Sequence, residues 1–144
     1  MKALLEAARA AQAHAYAPKS GFPVGAAVRV EGGRIFSGCN IEVGMNELGL
    51  CAERTALYKA ISEGFLRIEA AAVVTNGREA VTPCGVCREA LYKFASSPSM
   101  PVYLARACDL SRPSGRPVRL SIRALLPHTR SRARATAEKS RRKR

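Results

Sequence analysis

Apolar and polar positions change period along this chain in a way that predicts alternating helices and strands. Residues 2–16 are rich in alanine and leucine without a breaker, which predicts a helix ending before Pro18. Residues 24–30 and 34–40 are apolar, β-branched segments flanking Glu31-Gly32-Gly33, a turn signal that predicts a hairpin. Residues 42–49 carry two glycines and an asparagine and read as an irregular connection. Residues 51–63 then predict a second helix, closed by Gly64 where glycine favours a helix end. A buried strand is predicted over 68–75, a loop over 76–83, and a third helix over 85–95 running up to Ser96-Ser97-Pro98. Residues 101–105 and 118–122 read as further strands around a loop at 112–117. Strands alternating with helices imply an α/β domain with helices packed on a mixed sheet, although periodicity leaves the strand order open.

Composition narrows this to one domain. At 144 residues and 47% hydrophobic, the chain supports a single core of ordinary size. No apolar stretch approaches the roughly 20 residues that a membrane span needs, and the start lacks the apolar centre of a signal peptide. Five cysteines is an odd count, which fits a reducing compartment better than a disulfide framework, so the expected location is cytoplasmic. Cys39 and Cys108 stand apart from the other three and read as small hydrophobes, and His14 and His128 as ordinary surface or loop residues.

Charge divides the chain. The net charge is +13, and from Pro127 onward eight Lys or Arg stand against the single acid Glu138, about half of the excess. That stretch has almost no large apolar residue and cannot offset the entropy of ordering it. The expected organisation is a folded domain over 1–127 and a disordered basic tail over 128–144. Such a tail attracts polyanions through counterion release, so weak nonspecific nucleic-acid association at low salt is expected; a solvated extension without a partner is the alternative.

The chemistry concentrates in Cys51-Ala52-Glu53 and Pro83-Cys84-Gly85-Val86-Cys87. A closed structural zinc site takes four protein ligands, whereas a hydrolytic site takes three and keeps the fourth position for water. Cys51, Cys84 and Cys87 supply three thiolates, and Glu53 is a carboxylate spare for proton transfer. This is the all-cysteine form of the pattern of zinc nucleobase deaminases. The predicted helix starts place these thiolates where unpaired N–H groups and the helix dipole favour anions.

The likeness extends beyond the metal motif. Phe22-Pro23-Val24-Gly25-Ala26-Ala27, Gly38-Cys39-Asn40-Ile41-Glu42, Cys51-Ala52-Glu53-Arg54-Thr55-Ala56 and Pro83 through Arg88 follow the order and spacing of the small cytidine deaminases. Over about residues 16–127 the chain resembles that family. The resemblance implies a three-layer α/β/α fold with a mixed five-stranded sheet, a Zn²⁺ cofactor and a homotetramer with sites built at subunit contacts. It implies Glu53 as general acid and base, Arg54 hydrogen-bonding the cysteine sulfurs, Phe22 packing at the base pocket, and Asn40 and Glu42 binding the ribose hydroxyls. Backbone donors near Ala52 and Cys84 would orient the base.

The implied activity is zinc-dependent hydrolytic deamination of cytidine or deoxycytidine, giving the uracil nucleoside and ammonia, as in pyrimidine salvage. The chain departs from the family pattern at Val43-Gly44-Met45-Asn46, where the usual polar residue and aromatic are missing, at Lys19 in place of a tyrosine, and at Arg130 in place of a C-terminal aromatic. These departures keep a modified cytosine nucleoside or a nucleotide open as substrate. From another class, a zinc-stabilised nucleic-acid-binding module using the basic tail also stays open. Editing of RNA or DNA is weaker, because four Tyr, four Phe and no Trp offer few stacking platforms.

Overall fold

A computed structural model describes residues 1–45, 48–111 and 115–128. The elements run α1 (Lys2–Gln12), β1 (Val24–Val30), β2 (Ile35–Cys39), α2 (Ala52–Ser62), β3 (Ile68–Thr75), α3 (Gly85–Phe94), β4 (Pro101–Arg106), a 3₁₀ turn (Asp109–Ser111), β5 (Val118–Ser121) and α4 (Ile122–Leu125). They form a five-stranded sheet in the order β2-β1-β3-β4-β5. The β3–β4 pair is parallel and the others are antiparallel, so the sheet is mixed as expected.

Two apolar layers cover the sheet. On one face α1 places Leu4, Leu5 and Ala8 against Ala27, Ala70, Ala72 and Val74. On the other, Ala52, Ala56, Leu57 and Ala60 of α2, Leu91 and Tyr92 of α3, and Ile122 and Leu125 of α4 pack against Ala26, Val28, Ile68, Ala71 and Val73. The alternation along β1 and β3 thus feeds two cores, and the fold is the three-layer α/β/α arrangement. Among the described residues no helix is long and apolar enough to cross a membrane.

The helix at the start is shorter than the sequence predicts. It stops at Gln12, because the next residues are claimed by tertiary pairing. The Gln12 side chain donates to the Pro23 and Val74 carbonyls, while Tyr16 donates its N–H to the Asn40 carbonyl and accepts from Glu42 N–H, forming a bridge beside Ile41. Helix propensity is a weak prior against such contacts. The other correction is α4, a single turn where the sequence predicts only a strand end; Ser121 caps it by accepting from Ala124 N–H. Gly64, at φ +90°, ends α2 in the left-handed conformation that glycine tolerates.

The topology fixes where chemistry can assemble. β2 and β3 both run antiparallel to β1, hence parallel to each other. The chain leaving β2 enters α2, and the chain leaving β3 enters α3. Both helices therefore begin at the same end of the sheet, beyond the carboxyl ends of β2 and β3, the usual position of a site in an open α/β sheet.

Candidate metal centre

Cys51 and Cys84 occupy the N-cap positions of α2 and α3, both with extended backbone (φ −69°, ψ 150° and φ −66°, ψ 166°). Cys87 lies in the first turn of α3 and is fully buried. The three Sγ atoms all lie within 4.8 Å of one another, and those of Cys51 and Cys84 are 3.9 Å apart. Tetrahedral zinc with Zn–S bonds of about 2.3 Å sets its sulfurs roughly 3.8 Å apart, so the cluster fits the ion. Three soft donors and, among the described residues, no fourth protein ligand in the group match an open rather than a closed site. Cys39 and Cys108 stand outside this cluster: the Cys39 thiol meets the His14 carbonyl and the Cys108 thiol meets Asp109. Both histidines of the chain also lie outside it.

The thiols share their protons unequally. Hydrogen bonding with Cys87, joined by Arg54 and Cys84, pulls Cys51 down to about 5 against the opposing effect of burial. The same bond to Cys51, with burial and the nearby charge of Glu53, pushes Cys87 up. The low value of Cys51 favours its thiolate, the form in which cysteine binds a metal ion.

Glu53 sits in the first turn of α2 with 6% of its surface exposed. Burial raises its pKa; the charge on Cys51 adds to that, while its own backbone N–H and the Cys87 thiol oppose it by hydrogen bonding. Arg54 reaches the Gly49 carbonyl at 3.4 Å and Cys51 Sγ at 4.0 Å through the same nitrogen. Its buried Nε has no hydrogen-bond partner among the described residues. Ala52, the first residue of α2, is fully buried, and its N–H precedes the intrahelical ladder.

A cavity of about 530 Å³ opens beside Cys51 and Arg54, lined also by Lys19, Ser20, Asn40, Ile41, Glu42, Val43, Gly49 and Leu50. Asn40 and Glu42 line it, but both are engaged by the protein itself. Asn40 Oδ1 accepts from Val24 N–H at 2.8 Å and its Nδ2 donates to the Phe22 carbonyl at 3.0 Å, tying down the segment that leads into β1. Glu42 accepts from the Lys19 and Ser20 N–H groups and from the Ser20 hydroxyl. Ser20, through its hydroxyl and then its N–H, holds the Glu42 carboxyl below its ordinary range, aided by Lys19. Phe22 is half-buried and is not among the residues lining the cavity; its ring edge lies close to Gly77 on the loop after β3. The structure thus brings Asn40, Glu42, Cys51 and Arg54 to one cavity, with Cys84 and Cys87 clustered on Cys51 and Phe22 outside the lining.

Two contributors carried no role in the sequence reading. Ser20 organises Glu42, and Arg88 holds the loop ahead of α3, donating to the Pro83 carbonyl at 2.6 Å. Of the departures from the family pattern, Lys19 and Val43 line the cavity, while Gly44 and Met45 are exposed outside its lining. Asn46 and Arg130 lie outside the described residues, as does the tail from residue 129.

Comparison with known proteins agrees with this geometry. Residues 1–103 match the family model of the cytidine and deoxycytidylate deaminase zinc-binding region. A cytidine deaminase of Sporosarcina psychrophila is 46% identical over 101 residues, covering 70% of this chain and 74% of that protein. One from Halalkalibacterium halodurans is 43% identical over 101 residues, covering 70% and 76%. The crystal structure of cytidine deaminase from Burkholderia pseudomallei superposes with a TM-score of 0.79 at 38% identity, covering 89% of this chain and 97% of the other. With the fold, the trio of thiols and a match across most of its length in agreement, the chain belongs to the zinc-dependent cytidine and deoxycytidylate deaminase family.

Proposed function

We propose that this protein hydrolyses the 4-amino group of cytidine and deoxycytidine, releasing ammonia and the corresponding uracil nucleoside. The observation that carries the reading is the buried Glu53 close to Cys51 and Cys87 of the thiol trio, with Cys51 and Arg54 lining a cavity of about 530 Å³. Cys51, Cys84 and Cys87 would hold the zinc ion. When bound, that ion supplies an acidified water molecule that serves as nucleophile at neutral pH.

The rest of the chemistry belongs to the protein. Glu53 takes a proton from the attacking water and passes it to N3 of the pyrimidine as the new C4–O bond forms. It then moves the second water proton to the 4-amino group, which leaves as ammonia when the C4–N bond breaks. Arg54 offsets the negative charge of three thiolates through Cys51. The backbone near Ala52 and Cys84, at two helix starts, offers donors for the base. Phe22 closes the base side, while Asn40 and Glu42 face the sugar, already oriented by Val24, Phe22 and Ser20.

The organisation that accompanies this reading is a catalytic domain over 1–127 with a basic extension over 128–144, working as a homotetramer in the cytoplasm in pyrimidine salvage. Exposed apolar side chains that a second copy would cover support the assembly: Met45, Leu48 and Val86 are 62%, 66% and 62% exposed. Light scattering at four times the chain mass is the expected result.

Ammonia release from a panel of cytidine, deoxycytidine, cytidine monophosphate and base-modified cytosine nucleosides tests the activity. Turnover of both free nucleosides well above that of the others is the expected outcome. Negligible turnover of both, with activity on a phosphorylated or modified member, would move the assignment to the substrates that Lys19 and Val43 left open.

A further inference from the structure

Cys84 differs from the other two thiols in what holds it. Cys87 is fully buried within the core, and Cys51 is half-buried with Arg54 against its sulfur. Cys84 is exposed, and the loop that leads to it, 76–83, has no regular structure. Side-chain packing therefore does little to fix its sulfur; its backbone dihedrals must do so.

Both peptide units flanking Cys84 are held by one residue. The backbone N–H of Arg88 donates to the Cys84 carbonyl at 2.9 Å, and its side-chain Nε donates to the Pro83 carbonyl at 2.6 Å. The remaining guanidinium nitrogens donate to Thr82 Oγ1 at 2.8 Å and to the Leu125 carbonyl at 3.2 Å. Leu125 ends α4, a turn anchored in the main core by buried Ile122 and Leu125, and its carbonyl is among those a helix C-terminus leaves without an intrahelical partner. A planar fork with five donors can bridge these acceptors at once; an ammonium on a flexible stem cannot.

We propose that Arg88 is a positioning residue for the metal centre, fixing Cys84 by stapling the loop before α3 to the C-terminal turn α4. The inference rests on the assignment of Cys51, Cys84 and Cys87 as zinc ligands. It makes the far end of the folded chain part of the support for a ligand 41 residues earlier in the sequence, the separation of Cys84 and Leu125. Side chains that orient a metal ligand without touching the ion commonly contribute about 10–100-fold in affinity.

The test measures zinc affinity of the purified full chain by chelator competition, together with the thiolate-to-metal charge-transfer band of the cobalt-substituted protein. Arg88→Ala is expected to weaken zinc binding by about 10–100-fold and to lower the band as Cys84 disengages. Arg88→Lys keeps the charge but one donor group, and should recover only part of the affinity. Leu4→Ala, on the opposite face of the sheet, serves as a destabilised control and should bind zinc as the parent does. Should Arg88→Ala fail to fold, Thr82→Val removes one acceptor of the fork and is expected to weaken affinity in the same direction. Parent-like affinity and band intensity in folded Arg88→Ala, or in Thr82→Val where that variant stands in, overturns the proposal while leaving the ligand assignment intact. A parent protein that binds no zinc overturns both.

Discussion

Replacing Gly38 with alanine puts a methyl group where α2 now rests on the sheet. The added Cβ would lie 2.6 Å from the Ala56 backbone nitrogen and 2.7 and 2.8 Å from Thr55 Cβ and Cγ2. Ordinary contact begins near 3.4 Å, so the approach to Ala56 is about 0.8 Å too close. Neither a backbone nitrogen nor a β-carbon can rotate away, so α2 must lift from β2. Overpacking of this kind costs about 1–3 kcal/mol. The displaced turn is the one bonded to Cys51: Thr55 N–H donates to the Cys51 carbonyl, and Glu53 lies between them. A shift approaching 1 Å in a reacting group costs about 10²-fold in rate. Denaturant unfolding and ammonia-release kinetics on the same preparations measure both effects. The comparison variant is Leu4→Ala, which empties a buried position on the α1 face and costs about 2–5 kcal/mol. Both variants should be less stable, and only Gly38→Ala should lose turnover. Full turnover in a destabilised Gly38→Ala, or an equal loss in Leu4→Ala under folding conditions, would refute the idea that Gly38 sets the seat of the catalytic helix.

Other consequences are open to the same kinds of assay. Removing zinc with a chelator should lower the unfolding midpoint and readdition restore it, since a ligand at a hundred times its Kd adds about 2.7 kcal/mol to the native state; calorimetry with and without zinc reads this. The Glu42 carboxyl titrates below its ordinary value of 4.5, so its contribution is present above that pH and lost as the pH falls through the lower native value. The stability difference between the parent and Glu42→Gln, both zinc-free and unfolded in urea, should therefore hold at neutral pH and shrink as the pH is lowered through 4.5 and below. Deleting residues 129–144 should leave kcat/KM for cytidine within about twofold while lowering salt-dependent retention on a polyanion column, because the charge of that stretch acts through counterion release.

The parts of this molecule that the sequence made legible are those with a local signal. The hydrophobic run of β3, the Gly-Gly turn between β1 and β2, and Gly64 at the end of α2 each announce themselves within a few residues. The metal centre was legible because its ligands sit at two helix starts in a fixed short spacing, so the chemistry did not depend on knowing the sheet order. What escaped is non-local. The early end of α1 follows from Gln12 and Tyr16 bonding to residues 23, 40, 42 and 74, which no window along the chain contains. The single turn of α4 is too short to show a period, and its Ser121 cap is the one local clue. Nothing in one dimension links Arg88 to Leu125, and nothing there shows that Asn40 and Glu42 are held by Phe22, Val24 and Ser20 before any ligand arrives.

The account turns on one carboxylate placed beside three sulfurs, and Glu53→Gln isolates it, because the amide keeps the shape but cannot accept the proton. Cytidine turnover by this variant, measured on preparations shown to carry one zinc per chain, is expected to fall by about 10²–10⁴-fold. Turnover within tenfold of the parent at full zinc occupancy would contradict it.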